Sequence, residues 1–347
     1  MSTFEKLATK VIGVLKLFQQ RSIKVFSLLF AVGLGLTLLV AACSPTTSES
    51  PKNTPTASQV KVVRIGHQKF DPLTLVKARG GLEERLKPLG VSVKWTEFQS
   101  GPPLLEALNA KSIDIGRTGD TPPVFAQAAN SPLVYIGGGT AKERSSGIVV
   151  PASSSIQTLA DLRGKQVAFT KGSSANYLIV KALKSAGLTF SDIKPVNLSP
   201  ADARAAFEQG KVDAWTIWDP YFAVIQAQKN VRVLQDGQGL SANRDFYLAS
   251  RSFAEQNSEI IKAVREETQT VAKWAAANPD EVVKILSPLL GIEPPILNVV
   301  TKRRDYGFEP INDKMLSEQQ EIADTFFELK QIPQKLSVKD VVWQEKS

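Results

Sequence analysis

Serine hydroxyls and backbone N–H groups are gathered where an apolar run gives way to a predicted helix. The segment Thr170–Ser174 precedes a helix that the pattern places from about Ala175. Gly172 permits a tight turn, and Ser173 and Ser174 offer hydroxyls beside the unpaired N–H groups of the helix start. Such a helix start attracts anions because its N–H groups and dipole present positive potential. Since the Gly-Lys-Ser/Thr order of a Walker A loop is absent, the segment predicts either an oxyanion-binding loop or a serine that only caps the helix.

A second loop of the same kind ends an earlier predicted strand. Its residues are Thr118, Gly119 and Asp120, and a helix with proline in its first turn follows. The Asp120 carboxylate would repel an anion, so we expect it to cap that helix. Thr118 and the Gly119 N–H are then the predicted ligand-facing donors.

The remaining side chains of chemical interest are few. Trp218 lies near the predicted cleft edge, where an indole could form an apolar wall for a hydrocarbon tail, whereas Trp215 is expected in the core. His67 is the only histidine and Cys43 the only cysteine, which excludes a disulfide and argues against a zinc site. A Ser-His-Asp triad would need His67, and no Gly-x-Ser-x-Gly elbow is present. We therefore expect His67 to end the first strand, and we expect no metal, cofactor or catalytic residue.

Strand and helix patterns alternate from Val60 to about Ser250, and the chain after Phe253 is almost wholly helical. One long helix is predicted over Leu73–Leu89. Two successive sets of alternating elements predict an α/β fold with two lobes, each a parallel-rich sheet covered by helices.

A weak internal repeat supports two lobes of like topology. Ala107–Asp120 can be laid over Ala206–Asp219, with Asp114 and Asp213 at matching positions before a short strand. Each copy ends at the carboxyl end of a strand, the edge where open parallel sheets bind ligands. Two such edges facing each other would make a cleft, although any βα unit has some of this pattern.

Composition and charge set the class of protein. The chain has 347 residues, 43% of them hydrophobic, and a net charge of +8. That profile is globular and excludes collagen-like, coiled-coil and wholly disordered classes. Residues 1–42 hold five basic residues against one acidic residue, which leaves +4 over residues 43–347. The charges there are interspersed, which argues against a nucleic-acid groove.

The N-terminus predicts export. Val25–Val40 carries no charge, follows a basic stretch and leads into two alanines and Cys43, as in a secretory signal. Val40–Cys43 resembles the lipobox of bacterial lipoproteins, which implies a signal peptide over 1–42 and lipidation of Cys43; a retained signal anchor is the alternative. Residues 43–58 are rich in Ser, Thr and Pro and predict a disordered tether. The folded part is therefore expected to be lipid-anchored at the outer, extracytoplasmic or periplasmic, face of a membrane.

Five segments, in this order, resemble the aliphatic sulfonate-binding proteins of bacterial ABC importers, in the sulfonate/nitrate/taurine type of family. They are Arg64–Lys69, Ser112–Pro123, Lys171–Ser174, Ser199–Phe207 and Val212–Pro220. The resemblance implies a type II periplasmic-binding-protein clamp whose lobes are joined by crossover strands. It also implies a monomeric receptor that delivers a small organic sulfonate anion to a membrane permease and its ATPase. The expected ligand-binding residues are Gln68, Thr118, Gly119, Asp120, Gly172, Ser173, Ser174, Trp218 and Asp219.

The resemblance also implies how the chain is divided. Lobe one is expected over 59–147 and 246–347 and lobe two over 148–245, with hinges near Gly147–Val150 and Phe246–Ser250. Arg117 departs from the family pattern, which has a small or uncharged residue there. If the Arg117 guanidinium turns inward it offers an oxyanion contact that favours small or doubly charged ligands; if it points outward, nothing changes. His67 stands where the family has a tyrosine, which would alter the rim of the pocket.

Other functions stay open at this stage. Within receptors, taurine, nitrate or bicarbonate, and aromatic sulfonates are rival ligands, and Asp120 or Asp219 could pair with the ammonium of taurine. Thiamine-pyrimidine-synthesis enzymes resemble the same architecture, but they carry a cysteine-rich stretch that a chain with Cys43 alone lacks. A sensory or adhesive lipoprotein is a further alternative.

Overall fold

A computed structural model describes residues 61–344 of the protein. The predicted signal peptide 1–42, the lipidation site Cys43 and the tether 43–58 lie outside the described residues. Among the helices that are described, none combines the length and apolar character needed to cross a membrane.

The strands form two five-stranded sheets of the same design. In chain order the strands are β1 (Lys61–Gln68), β2 (Val91–Phe98), β3 (Ile115–Gly119), β4 (Leu133–Gly138), β5 (Ser146–Pro151), β6 (Gln166–Phe169), β7 (Lys194–Asn197), β8 (Ala214–Trp218), β9 (Val231–Asp236) and β10 (Asp245–Ser250). The first sheet has the order β2-β1-β3-β10-β4 and the second β7-β6-β8-β5-β9. In each sheet one strand, β10 or β5, is antiparallel to both neighbours. We call the first sheet with its helices lobe one and the second lobe two.

Helices follow most strands and cover the sheets. They are α1 (Pro72–Arg79), α2 (Gly81–Leu86), α3 (Gly101–Asn109), α4 (Thr121–Ala128), α5 (Ser174–Ser185), α6 (Pro200–Glu208), α7 (Tyr221–Gln226), α8 (Arg251–Gln256), α9 (Ser258–Ala277), α10 (Pro279–Leu290), α11 (Pro294–Lys302) and α12 (Asp313–Glu328). The single helix predicted over Leu73–Leu89 is wrong. Gly80 adopts a left-handed conformation (φ +69°) and its N–H bonds to the Val76 and Lys77 carbonyls, a turn that ends α1 and starts α2.

The internal repeat corresponds to equivalent units in the two sheets. In lobe one the Arg64 N–H donates to Asp114 Oδ2 at 2.8 Å, and in lobe two the Gln166 N–H donates to Asp213 Oδ2 at 2.7 Å. Each carboxylate thus ties one strand to the turn before its neighbour. The matching aspartates are therefore structural, and they place the loops after β3 and β8 at corresponding sheet edges.

Both faces of each sheet are buried. In lobe two, Val167 and Ile179 belong to the core on one face, and Phe207 and Trp215 to the core on the other. Trp215 is 1% exposed, which confirms its predicted core position. Lobe one has two apolar cores, to which α9 and α12 contribute on opposite faces of the sheet. The predicted α/β class, with two helix-covered sheets, is confirmed.

The chain crosses between the lobes at residues 139–145, the first link, and 237–244, the second link. The crossings predicted near Gly147–Val150 and Phe246–Ser250 are misplaced, because those residues pair inside β5 and β10 with neighbouring strands. The two links are bonded to each other: the Lys142 N–H donates to the Ala242 carbonyl at 2.9 Å. Apolar alternation identified the strands but not the points where the chain leaves a sheet.

Candidate functional site

A cavity lies between the lobes, at the carboxyl ends of β1, β3, β6 and β8. Seven predicted site residues line it: Gln68, Arg117, Gly119, Ser173, Ser174, Trp218 and Asp219. Nine further residues complete the lining: Lys69, Phe70, Gly101, Pro122, Lys142, Ser145, Asn243, Val300 and Arg304. The repeated sheet edges therefore do face each other across one space, as ligand sites in open α/β sheets do.

The start of α5 brings neutral donors to this cavity. Ser173 has extended backbone and its side chain accepts from the Asn176 N–H, so it is the N-cap. Its hydroxyl donates to the Thr170 carbonyl at 2.6 Å. The capping interpretation of Ser173 is thus confirmed. The Ser174 hydroxyl is hydrogen-bonded to the Asp120 carboxylate, which leaves the first N–H groups of α5 as the free donors towards the cavity. We call Ser173, Ser174, Trp218 and these N–H groups the neutral face.

Gly172 is not among the cavity-lining residues. Its φ of +71° lies in the left-handed region that favours glycine, and a Cβ there would meet the Phe125 ring at 3.3 Å. Its N–H donates to Asn176 Oδ1 at 3.0 Å. The glycine is needed for the turn and for the approach of α4, rather than for a surface on the cavity.

Gly119 marks the point where the lobes touch. A Cβ at this position would lie 2.2 Å from Ser174 Oγ of the opposite lobe, so only a residue without a side chain permits this approach. Thr118 is fully buried and its hydroxyl donates to the Gly119 carbonyl at 2.9 Å. Thr118 does not line the cavity.

Asp120 does not cap α4, so that prediction is wrong. Its backbone is helical (φ −71°, ψ −42°) and its side chain makes no capping bond. The residues two and three positions on are Pro122 and Pro123, which have no N–H for a cap to satisfy. Instead its Oδ1 accepts from the Thr121 hydroxyl at 3.0 Å, and burial raises the pKa of Asp120. Its counterpart in the repeat, Asp219, does serve the following helix by accepting from the Ala223 N–H at 3.0 Å.

Arg117 turns inward and belongs to a group of buried charges. Arg117 and Asp245 are in direct contact through a guanidinium nitrogen and Oδ1, and a second guanidinium nitrogen lies 3.7 Å from Asp71 Oδ2. Lys142 Nζ is 3.0 Å from Asp245 Oδ1 and Arg304 is 2.9 Å from its Oδ2. We call these five residues the charged cluster. Burial lowers the pKa values of Arg117 and Lys142.

Asp219 and Trp218 end β8 at the cavity. Asp219 Oδ1 lies 3.2 Å from Arg303 of lobe one, so this ion pair joins the two lobes. Burial raises the pKa of Asp219 to about 6, and Arg303 opposes the rise. The Trp218 ring meets Tyr221 edge to face, with ring centres 6.2 Å apart. Trp218 thus presents apolar surface to the cavity on the lobe-two side.

His67 does not reach the cavity rim, so the expected effect on the rim is not found. It is buried near the end of β1, with Nδ1 3.1 Å from the Thr74 hydroxyl and its ring edge-on to Trp95. Burial lowers its pKa. Gln68 beside it donates through Nε2 to the Arg117 carbonyl at 3.1 Å. Within residues 61–344, no group of three or more His, Cys, Asp and Glu side chains could hold a metal ion.

Several residues that line the cavity were not predicted from the sequence. Lys142 lies in the first link, Asn243 in the second, and Arg304 follows α11. Lys142 Nζ also approaches Asn243 Oδ1 at 3.2 Å. No sequence motif marks these residues. Lys142 alone could have been identified from the sequence, as a lysine in a segment that joins two lobes.

The chain closely matches a known family of binding proteins in sequence and in fold. The chain is 42% identical to the periplasmic aliphatic sulphonate binding protein SsuA from Escherichia coli, whose crystal structure superposes with a TM-score of 0.74. That match covers 82% of this chain and 98% of the other. The chain belongs to the aliphatic sulfonate-binding protein family.

Other known proteins are also similar to this chain. The alkanesulfonate-binding protein SsuA from Xanthomonas axonopodis pv. citri, bound to MOPS, is 36% identical with a TM-score of 0.80, covering 83% of this chain and 100% of that one. The taurine-binding periplasmic protein of Escherichia coli (strain K12) is 30% identical over 202 residues, 57% of this chain and 62% of the relative. A family model described as NMT1/THI5 like matches residues 87–282.

Proposed function

We propose that this protein is the substrate-binding receptor of an ABC importer, and that it captures aliphatic sulfonates in the cavity between its lobes. The observation that carries the proposal is the convergence of the α5 start and the inward Arg117 on one interlobe cavity. The family relationship supports it, since two related proteins are described by the sulfonates they bind. The bound anion is then delivered to the membrane permease and its ATPase for sulfur assimilation.

The chemistry of a sulfonate suits this cavity. A sulfonate is a permanent monoanion with three acceptor oxygens, and a helix start can hold such a group without a fixed cation. Trp218 lines the same space, and its indole would stabilise the carbon tail of a sulfonate by apolar contact. Sulfate has no such tail. Recognition thus needs donors for the head and apolar surface for the tail.

The proposed ligand contacts follow the geometry. We assign direct roles to the predicted residues that line the cavity, with Thr118, Asp120 and Gly172 supporting the loops from behind. The lobe boundaries proposed are 59–147 with 246–347 and 148–245, close to the starts of β5 and β10. We propose no catalytic role, because Cys43 is the only cysteine of the chain and a receptor needs no reacting group.

A taurine receptor is the second candidate. Asp219 lines the cavity and could pair with the ammonium of taurine, which alkanesulfonates lack. Its partner Arg303 at 3.2 Å already neutralises that carboxylate, which favours ligands without an ammonium. Nitrate, bicarbonate and aromatic sulfonates are further alternatives within the same fold.

Calorimetric titration of the purified protein tests the proposal. The panel is ethanesulfonate, butanesulfonate, taurine, sulfate, nitrate and bicarbonate. We expect the alkanesulfonates to bind at micromolar or lower Kd and the inorganic anions far more weakly. Preference for taurine would support the second candidate, and binding of nitrate or bicarbonate alone, or of nothing, would contradict a sulfonate receptor.

We also propose that the protein is monomeric and held at the extracytoplasmic membrane face by lipid on Cys43. The proposal rests on the lipobox-like Val40–Cys43 and the tether that follows it. Metabolic labelling with an alkyne fatty acid should mark the wild-type chain and leave Cys43→Ser unlabelled. Equal labelling of both would show that Cys43 is not the anchor.

A further inference from the structure

The charged cluster holds more positive than negative groups. Three buried cations, Arg117, Lys142 and Arg304, contact the single carboxylate of Asp245, and only Arg117 also approaches Asp71. Asp71 is already engaged as the N-cap of α1, where it accepts from the Leu73 N–H at 2.7 Å. The three cations therefore share two carboxylates. This leaves one positive charge that a ligand could compensate.

Nearby acids do not remove this excess. Asp219 lies 3.2 Å from its own cation, Arg303. Asp120 is buried, and its carboxylate accepts hydrogen bonds from the Thr121 and Ser174 hydroxyls. Burial also lowers the pKa of Lys142, and an anion in the cavity would help that lysine to keep its proton.

One donor of the cluster is without a partner. Arg117 is 7% exposed and lines the cavity, and among the described residues its Nε has no hydrogen-bond acceptor. An unpaired buried N–H is costly, and a guanidinium is best satisfied by a planar or tetrahedral oxyanion. This side chain therefore marks a second anion position, distinct from the helix start of α5.

The two positions are separated by a short span. Arg117 and Gly119 are two residues apart on β3, so they lie on the same face of the sheet, about 6–7 Å apart along the strand. Gly119 faces Ser174 of the neutral face. One anionic group at the start of α5 and another at Arg117 would be joined by a spacer of about two or three carbons.

We propose that the cavity binds organic sulfonates that carry a second anionic group, of the ω-sulfocarboxylate class. The sulfonate meets the neutral face, and the carboxylate meets the guanidinium of Arg117, with Lys142 and Arg304 lining the same cavity. Arg117 is then the residue that determines specificity. The inference rests on the proposed function, because it names the sulfonates that the same cavity selects.

A matched pair of ligands tests it. In 3-sulfopropanoate a carboxylate replaces the terminal methyl of 1-propanesulfonate, and the sulfonate and chain length are unchanged. By calorimetry we expect the dicharged ligand to bind the wild-type protein about tenfold or more tightly than the monoanion. In Arg117→Met the ratio of the two affinities should fall to about one, and Arg117→Lys should retain part of it.

The variants are chosen so that a change in the affinity ratio can be assigned to Arg117. In Arg117→Met, Asp245 still contacts Lys142 and Arg304. Asp71 still accepts hydrogen bonds from backbone N–H groups. Both carboxylates therefore keep partners in the variant. Ser174→Ala is the control: it should weaken both ligands alike and leave the ratio unchanged. Arg304→Met should also lower the ratio, which guards against misfolding of a single variant.

The outcomes separate the two proposals. Equal affinity for the pair in the wild type, a ratio that survives Arg117→Met, or tighter binding of taurine would overturn the dianion inference while sulfonate binding stands. Failure of every sulfonate to bind would overturn the proposed function and this inference together.

Discussion

The two sides of the cavity use different means to face an anion. The neutral face offers hydroxyls, helix N–H groups and an indole, none of which carries a net charge. The charged cluster opposite it holds three cations on two buried carboxylates. Donors of the first kind cost little when the cavity is empty, because water can satisfy them. Charges of the second kind must be balanced at all times, so that side is expected to determine stability as well as selectivity.

The largest effect is expected where the cluster loses its shared carboxylate. Asp245→Asn would leave three buried cations with the single carboxylate of Asp71, and we expect the free energy of unfolding to fall by about 3–5 kcal/mol. Ser174→Ala on the neutral face removes one hydrogen bond to the Asp120 carboxylate and should cost less, about 1.5 kcal/mol. Urea denaturation measures both, and similar losses for the two variants would abolish the distinction between the two sides.

A smaller effect is expected at the contact between the two sides. A methyl group at Gly119 would lie 2.2 Å from Ser174 Oγ, so Gly119→Ala should weaken sulfonate binding about tenfold or more, or by about 1.4 kcal/mol. Because the close atom is a hydroxyl, the double variant Gly119→Ala/Ser174→Ala should recover part of the affinity. The double-mutant cycle, measured by calorimetry, reveals this coupling. Purely additive losses would mean that the lobes do not approach this closely when ligand is bound.

Trp218 allows the apolar part of the neutral face to be tested separately from its hydrogen-bond donors. Trp218→Ala should weaken butanesulfonate binding about tenfold and methanesulfonate about twofold, because only the longer chain buries substantial apolar surface against the indole. Titration of both ligands against both proteins measures the difference. Equal losses would remove the role of Trp218 as a wall for the tail.

The smallest effect is a dependence on pH. Asp219 has a pKa of about 6 and lines the cavity, so it gains a negative charge as pH rises through 6 while a sulfonate stays ionised. Affinity should therefore fall about threefold between pH 5 and pH 8, and binding should take up protons at pH 6. Asp219→Asn should lose the part of this change that is centred near pH 6. An affinity that rises with pH would contradict the assignment.

Much of the architecture follows from local patterns. The local patterns predict β6, β7 and β10 at their observed bounds, because these strands are short and flanked by turn residues. The repeat located the cavity, since both copies end at strand carboxyl ends. The break at Gly80 was missed because a left-handed glycine inside an otherwise helical pattern resembles a tolerated one.

The charges of the cavity were harder to foresee. Arg304 pairs with Asp245, 59 residues away along the chain, and Lys142 reaches the same carboxylate from the first link. Sequence shows that these residues are charged but not that the fold brings them together. The two aspartates of the repeat also differ in a way that the sequence does not show: Asp120 makes no bond to an N–H inside the helix that follows, whereas Asp219 accepts from the Ala223 N–H.

The position of Trp218 gives the molecule an optical readout of its own. Its indole borders the cavity, while Trp215, on the same strand, is sealed in the lobe-two core. A ligand that displaces water from the indole of Trp218 changes the polarity around that fluorophore, whereas the other four tryptophans of the chain do not line the cavity. Capture and release can therefore be followed in real time by intrinsic emission, without attaching a dye to the chain.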